Sequence, residues 1–216
     1  MKKIFFIAVT ILFSSVYYAQ TAESFLNAGI LQDSIGKYDK AIKDFDKAIK
    51  LKPDYAEAYN ARGICKLRRA DAYGSRGMSS IFRNEEHRLA MKDLSHAIEL
   101  KPDYAQAYYN RSILKADLQD SRGELQDLTK AIELKPAYPQ AYNHRGLARG
   151  RLGDHTGEIS DYTKAIELKP NYGEAYHNRA HAKYLMGDRD GACLDFSKSG
   201  EYDYFKSYED IKDMCK

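Results

Sequence analysis

Apolar residues recur along the chain at spacings of three and four, as in Ala41, Ile42, Phe45, Ala48 and Ile49, and so fall on one helix face. Gly36 divides the stretch from Ala22 to Leu51 into two helical patterns, because glycine takes up the left-handed end of a helix at little cost. Pro53 stops the second pattern, since the residue before a proline avoids helical geometry. The predicted unit is helix, tight turn, helix, proline stop. No strand pattern interrupts it.

One phrase returns along the chain. It runs from Ala131 through Lys135, Pro136 and Tyr138 into a new helix at Gln140 and Tyr142, and it stands again at Ala48–Tyr59, Ala97–Tyr108 and Ala165–Tyr176. Pro102, Pro136 and Pro170 are 34 residues apart, while Pro53 precedes Pro102 by 49, one period plus 15. A fixed period near 34 built of helix pairs marks a stacked repeat architecture. Numbered within that period, position 4 is Phe25, Tyr59, Tyr108, Tyr142 and Tyr176, and position 8 is Gly29, Gly63, Ser112, Gly146 and Ala180. Position 24 is Phe45, Leu94, Leu128, Tyr162 and Phe196, and position 27 is Ala48, Ala97, Ala131, Ala165 and Ser199.

With this pattern over residues 22–202 the chain resembles the tetratricopeptide repeat (TPR) family. The resemblance implies an all-α, right-handed superhelical solenoid of five helix-turn-helix units, about 22–55, 56–104, 105–138, 139–172 and 173–202. Glu124 and Glu158 occupy position 20, where a small residue lets the helices approach, so splayed hairpins or outward-turned glutamates are expected there. Tyr55, Tyr104, Tyr138 and Tyr172 are expected to seal the junctions between units.

Two places break the rhythm. The second unit holds the 15 extra residues, 70–84, between its helices. They read as a surface loop insertion, which costs little, or as a contact loop in which Phe82 anchors while Arg76 and Arg83 grip an acidic partner. The second break is 203–216, which lacks a proline stop and spaces Tyr204, Phe205, Tyr208 and Ile211 helically, as a helix capping the open end of the solenoid would. Folded back on the helix before it, that cap brings Cys193 and Cys215 to similar height, where a disulfide is expected; Cys65 reads as a buried free thiol.

Charge has a period of its own. Position 23 is Asp44, Asp93, Asp127, Asp161 and Asp195; position 7 is Arg62, Arg111, Arg145 and Arg179, but Ala28 in the first unit. Pairing within units would strand Asp44. The expectation is therefore an inter-unit ladder, Asp44–Arg62, Asp93–Arg111, Asp127–Arg145 and Asp161–Arg179, with Asp195 left to a terminal base such as Lys212.

Composition changes the picture modestly. Charged residues make up 30%, which suits helices with wet faces rather than disorder. The net charge of +3 becomes about +1 without Lys2 and Lys3, so a polyanionic partner such as nucleic acid is not expected. Those lysines and the apolar run Ile4–Val16 read as a signal peptide over 1–20, too short to span a membrane, so the mature chain is expected to be exported, periplasmic or secreted, with no transmembrane segment.

Catalytic chemistry has no visible seat: there is no phosphate loop, serine elbow or zincin motif, and no cofactor or small-molecule substrate is expected. Glu174, His177 and His181 share a helix at spacings of three and four, yet polar groove lining explains them better than a metal, since a further ligand is not evident. The family resemblance implies a concave channel lined by the first helices. Carried onto this chain, the partner-facing set is Asn60, Ile64, Arg68, Gln106, Tyr109, Ile113, Asn143, Leu147, Arg151, His177, His181 and Tyr184. The lysine-rich carboxylate clamp of some family members is missing. The expected function is a non-enzymatic scaffold for a protein or peptide of the cell envelope, the alternative being an assembly subunit held through the insertion and cap.

Overall fold

The computed structural model describes residues 21–75, 77, 79–202, 204 and 215. Among them are ten α-helices and no strand: α1 (Ala22–Ser34), α2 (Tyr38–Leu51), α3 (Ala56–Gly74), α4 (Ser80–Leu100) and α5 (Ala105–Asp117), then α6 (Ser121–Leu134), α7 (Pro139–Arg151), α8 (His155–Leu168), α9 (Gly173–Leu185) and α10 (Arg189–Glu201). They form five hairpins, and the second helix of each packs on the first helix of the next. First helices also touch across units, α1 on α3, α3 on α5 and α7 on α9, and so make the inner layer. This is a solenoid in which each unit needs only its neighbours. Its core is accordingly a file of small clusters, such as Phe45 with Ala41, Ala48, Ala58 and Cys65, or Leu128 with Ile132, Tyr138 and Ala141.

Local sequence explains the starts and stops. Asp120, Asp154 and Asp188 cap α6, α8 and α10 by accepting the N–H of Gly123, Gly157 and Gly191, each at 2.9 Å. A side chain on any of those glycines would strike the capping carboxylate. At the other end of each hairpin, Lys52, Lys101, Lys135 and Lys169 leave the helix before proline, and their amines lie 4.5, 5.0, 4.6 and 4.6 Å from the ring centres of Tyr55, Tyr104, Tyr138 and Tyr172. Within hairpins, Gly146 lets α7 approach α8 so closely that a Cβ there would stand 2.5 Å from the buried Tyr162 ring.

The 15 extra residues do not form a surface loop. They lengthen α3 to 19 residues and α4 to 21, against 13 or 14 in every other helix, with Ser75 and Gly77 in turn conformation between them. Unit 2 therefore projects as a helical hairpin. Its charges are spent internally, because Arg69 holds buried Glu86 and also Asp39 at 2.7 Å, and Arg83 lies 3.8 Å from Asp71. Phe82 folds against Tyr73 at 5.7 Å and beneath Arg69 rather than standing free as an anchor. Arg76 lies outside the described residues.

The inter-unit ladder is corrected. Each arginine clamps the aspartate of its own unit through two bonds: Arg62 on Asp93 (2.9 and 2.6 Å), Arg111 on Asp127 (both 2.8 Å), Arg145 on Asp161 (2.9 and 2.7 Å) and Arg179 on Asp195 (2.8 and 2.7 Å). Positions 7 and 23 lie at the same height across the hairpin, whereas the next unit is displaced along the stack. A second base at position 11 completes each station: Lys66, Lys115, Arg149 and Lys183, at 2.7, 2.7, 2.9 and 2.8 Å from the same aspartates. The remaining arginine nitrogen reaches back one unit, from Arg62 to Asp46, Arg111 to Ser95 and Arg179 to Thr163. Asp44 is not stranded, since Lys47 binds it at 2.9 Å and also covers Phe25.

Glu124 and Glu158 do not turn outward either; both are buried. Glu124 is paired with Arg151 of the following unit, and Glu158 accepts the Tyr162 hydroxyl at 3.2 Å where glycine at 150 leaves room for its carboxylate. Cys193 and Cys215 form the expected disulfide, with Cα atoms 5.7 Å apart, and Cys65 is free and buried. The predicted capping helix, apart from Tyr204 and Cys215, lies outside the described residues, as do the signal segment and Lys212.

Candidate functional site

The inner layer, α1, α3, α5, α7 and α9, presents one row at position 9. Ile30 is exposed, and Ile64, Ile113, Leu147 and His181 are half-buried. Aliphatic side chains at one helical position, one per unit, make a continuous apolar strip along the concave face. Arg68, Gln106 and Arg151 are exposed at its margins. The two arginines are already engaged, Arg68 with Asp33 and Arg151 with Glu124, so they fix the rim rather than wait for an anion. Tyr184 and His181 close the strip at α9, with His181 edge-on to Phe196 at 5.1 Å and Arg189 over Tyr184 at 5.7 Å.

Position 5 does something other than line the channel. Asn60, Asn143 and His177 are buried, against expectation. Each position-5 side chain turns sideways to meet position 6 of the next inner helix. Asn60 accepts from Asn110 at 2.8 Å, Tyr109 meets the His144 ring at 5.4 Å, and Asn143 accepts from Asn178 at 3.1 Å. His177, in the last unit, meets Tyr204 at 4.9 Å. These residues seal the seams, because buried amides must pair with one another when water is excluded. The junction tyrosines join them: Tyr138 donates to Gln106 at 2.9 Å, and the Tyr104 hydroxyl accepts from Asn60 at 3.5 Å.

Burial raises the phenols of this inner layer above their ordinary range, Tyr109 to about 12 with the negative charge of Glu174 adding to the effect. Burial also holds the His144 imidazole below its ordinary pKa, opposed by Glu174 and reinforced by Arg151. Asn110, His144 and Asn178 were absent from the groove set derived from family positions. Their signal was present in the order of residue types, amide answering amide and aromatic answering aromatic at positions 5 and 6 of successive units.

Glu174 does not join the two histidines as a ligand. Its carboxylate accepts from Asn143 at 3.2 Å, while His177 and His181 rest edge to face at 4.7 Å. Among the described residues no group of three or more His, Cys, Asp or Glu side chains is placed to hold a metal, and no helix is long and apolar enough to cross a membrane. The outer hollow between α3 and α4, about 360 Å³, is lined by Arg62, Lys66 and Asp93, whose charges already pair with one another.

Two segments match repeat families: residues 34–66 match "TPR repeat" and residues 139–172 match "Tetratricopeptide repeat". No curated protein sequence matches the chain. Among solved structures, MamA is similar at 26% identity and a TM-score of 0.65, over 83% of this chain and 96% of that one. YrrB, described as a TPR protein with an unusual peptide-binding site, is similar at 18% identity and a TM-score of 0.65, over 89% of this chain and 93% of that one. TTC0263, a thermophilic TPR protein of Thermus thermophilus, is similar at 20% identity and a TM-score of 0.63, over 84% of this chain and 91% of that one. With two repeats matched, a 34-residue period and the same stacked hairpins, this chain is a tetratricopeptide repeat protein.

Proposed function

We propose that the protein is an exported scaffold that binds a segment of a protein partner along its concave face. The observation that carries this is the aliphatic strip Ile30, Ile64, Ile113 and Leu147 along the inner layer, bordered by the exposed amide of Gln106. Such a surface suits apolar side chains flanked by backbone hydrogen bonds. The projecting hairpin of unit 2 supports the rival reading less well, because its described arginines are neutralised by their own neighbours. Export rests on the amino-terminal pattern, and the Cys193–Cys215 disulfide suits an oxidising compartment.

Photo-crosslinking in the native host tests the face used. A benzoylphenylalanine at position 113 should capture a partner, and the Leu147→Lys change should abolish capture. Deleting 70–84, which restores the 34-residue period, should leave it intact. Capture lost only with the deletion would transfer the function to the hairpin. Mass determination of the mature amino terminus tests export.

A further inference from the structure

Glu174 is the one position-2 acid whose unit carries no lysine at position 31. Glu23, Glu57 and Glu174 are the acids at position 2, and Lys52, Lys101, Lys135 and Lys169 end the first four units at position 31. Antiparallel hairpins bring positions 2 and 31 together, and Lys101 accordingly neutralises Glu57 at 2.8 Å. In the last unit the residue in the lysine's place is Asp203. Among the described residues no lysine or arginine pairs with Glu174.

The carboxylate is nonetheless held in place. Asn143 donates to it at 3.2 Å, and Asn178 fixes Asn143 in turn at 3.1 Å. Beside Asn143 on α7 stands His144, edge-on to Tyr109 at 5.4 Å, and Tyr109 lies 4.9 Å from Tyr138. The charge of Glu174 is felt by Tyr109 of the third unit, by His144 of the fourth and by Tyr172 at the junction of the fourth and fifth. Because burial favours the uncharged imidazole, His144 does not supply the missing positive charge at neutral pH. A carboxylate tethered through Asn143 to the helix that carries His144, and neutralised by no lysine or arginine among the described residues, is a receptor for a cation, whose attraction to the charge is supplemented by the neighbouring aromatic rings.

We propose that Glu174, with Tyr109 and His144, forms a subsite on the concave face for a cationic side chain, a lysine or arginine of the bound partner segment. This rests on the groove reading above, and names the chemistry that reading lacks. The partner segment carries its basic residue toward the carboxy-terminal units and apolar residues along the aliphatic strip.

Two probes separate the subsite from the groove. The first is a set of labelled nonapeptides of alternating leucine and serine whose central residue is lysine, arginine, norleucine or glutamate, measured by fluorescence anisotropy at low and high salt. The lysine and arginine peptides should bind at least about tenfold tighter than the norleucine peptide, the preference should shrink with salt, and Glu174→Gln should erase it. The glutamine keeps an oxygen for Asn143, so a thermal melt near that of the parent accompanies the loss. The second probe is Nα-acetyl-lysine amide against Nα-acetyl-norleucine amide, followed by NMR of the His144 ring. Peptides that bind without regard to the central charge overturn the subsite and leave the groove reading standing. No peptide binding, together with a Glu174-dependent shift by acetyl-lysine amide alone, keeps the subsite and removes the groove reading. Neither response removes both.

Discussion

A left-handed backbone turns each inner helix into its outer partner, and at that point one residue is poorly chosen. Gly36, Gly153 and Gly187 have φ of 72°, 82° and 87°, but the third unit uses Gln119 at 60°. A side chain there meets the carbonyl that follows, so Gln119→Gly should raise stability by about 1 kcal/mol in urea titration. Glycine of the other kind, present for space, behaves oppositely. Gly146→Ala drives a methyl into the buried Tyr162 ring and should cost roughly 1–3 kcal/mol, whereas Gly74→Ala meets nothing and should be neutral or slightly stabilising. Cys65 makes a third test at this scale. Burial pushes its thiol well above the ordinary range, so the oxidised protein should react with a thiol reagent at one site, and only after unfolding.

Between the two helices of units 2 to 5, the recurring device is a station of aromatic ring, arginine, aspartate and second base. The arginine lies over the position-4 ring at 5.4, 5.7, 5.3 and 5.5 Å in Tyr59, Tyr108, Tyr142 and Tyr176. Removing the arginine leaves a buried aspartate with a single remaining base. Arg145→Ala should therefore cost about 2–4 kcal/mol by thermal or chemical unfolding, with Asp161→Asn partly relieving it in a double-mutant cycle. Arg145→Lys retains charge and loses the planar fork, so it should fall between. Sequence made the members of this device visible, since arginine and aspartate keep their positions unit after unit. It misled about the partners: Ala28 suggested a shift by one unit, when Lys47 of the same helix had taken over the arginine's work. Such a substitution within one turn breaks the period while preserving the contact.

Taken as a whole, the stack depends on its seams and its last unit. His144 lies in a seam with its imidazole pKa depressed by burial, so the sign is that of a base held neutral. The stability it contributes is present above the ordinary histidine range and is lost as pH falls through its lowered folded value, with Glu174 softening the loss and Arg151 deepening it. Unfolding free energy should accordingly fall between about pH 7 and 5, and His144→Gln should flatten that slope. At the end of the stack Cys215 packs with Ala180, Ala192 and Phe196, and its disulfide closes a separation of 22 residues. Replacing both cysteines by serine should lower stability by about 3 kcal/mol on the chain-entropy account, read as a lower melting temperature without reductant.

The architecture was legible in the chain because it is written in local rules: helical apolar spacing, proline stops, glycine turns and a 34-residue period all act within one hairpin or at its end. The disulfide was legible for the same reason, since an antiparallel return fixes which heights meet. What lies opposite what across units was not. The fifteen extra residues could be loop or helix by composition, and only packing of Phe82 on Tyr73, with Arg69 holding Glu86, settled them as lengthened helices. The burial of Asn60 and Asn143 depended on a neighbour's amide one unit away, and the uncompensated charge of Glu174 on what stands beside it in three dimensions. A linear pattern specifies which face a side chain occupies; the stacking of separate helices decides whether that face meets solvent, a partner or another repeat.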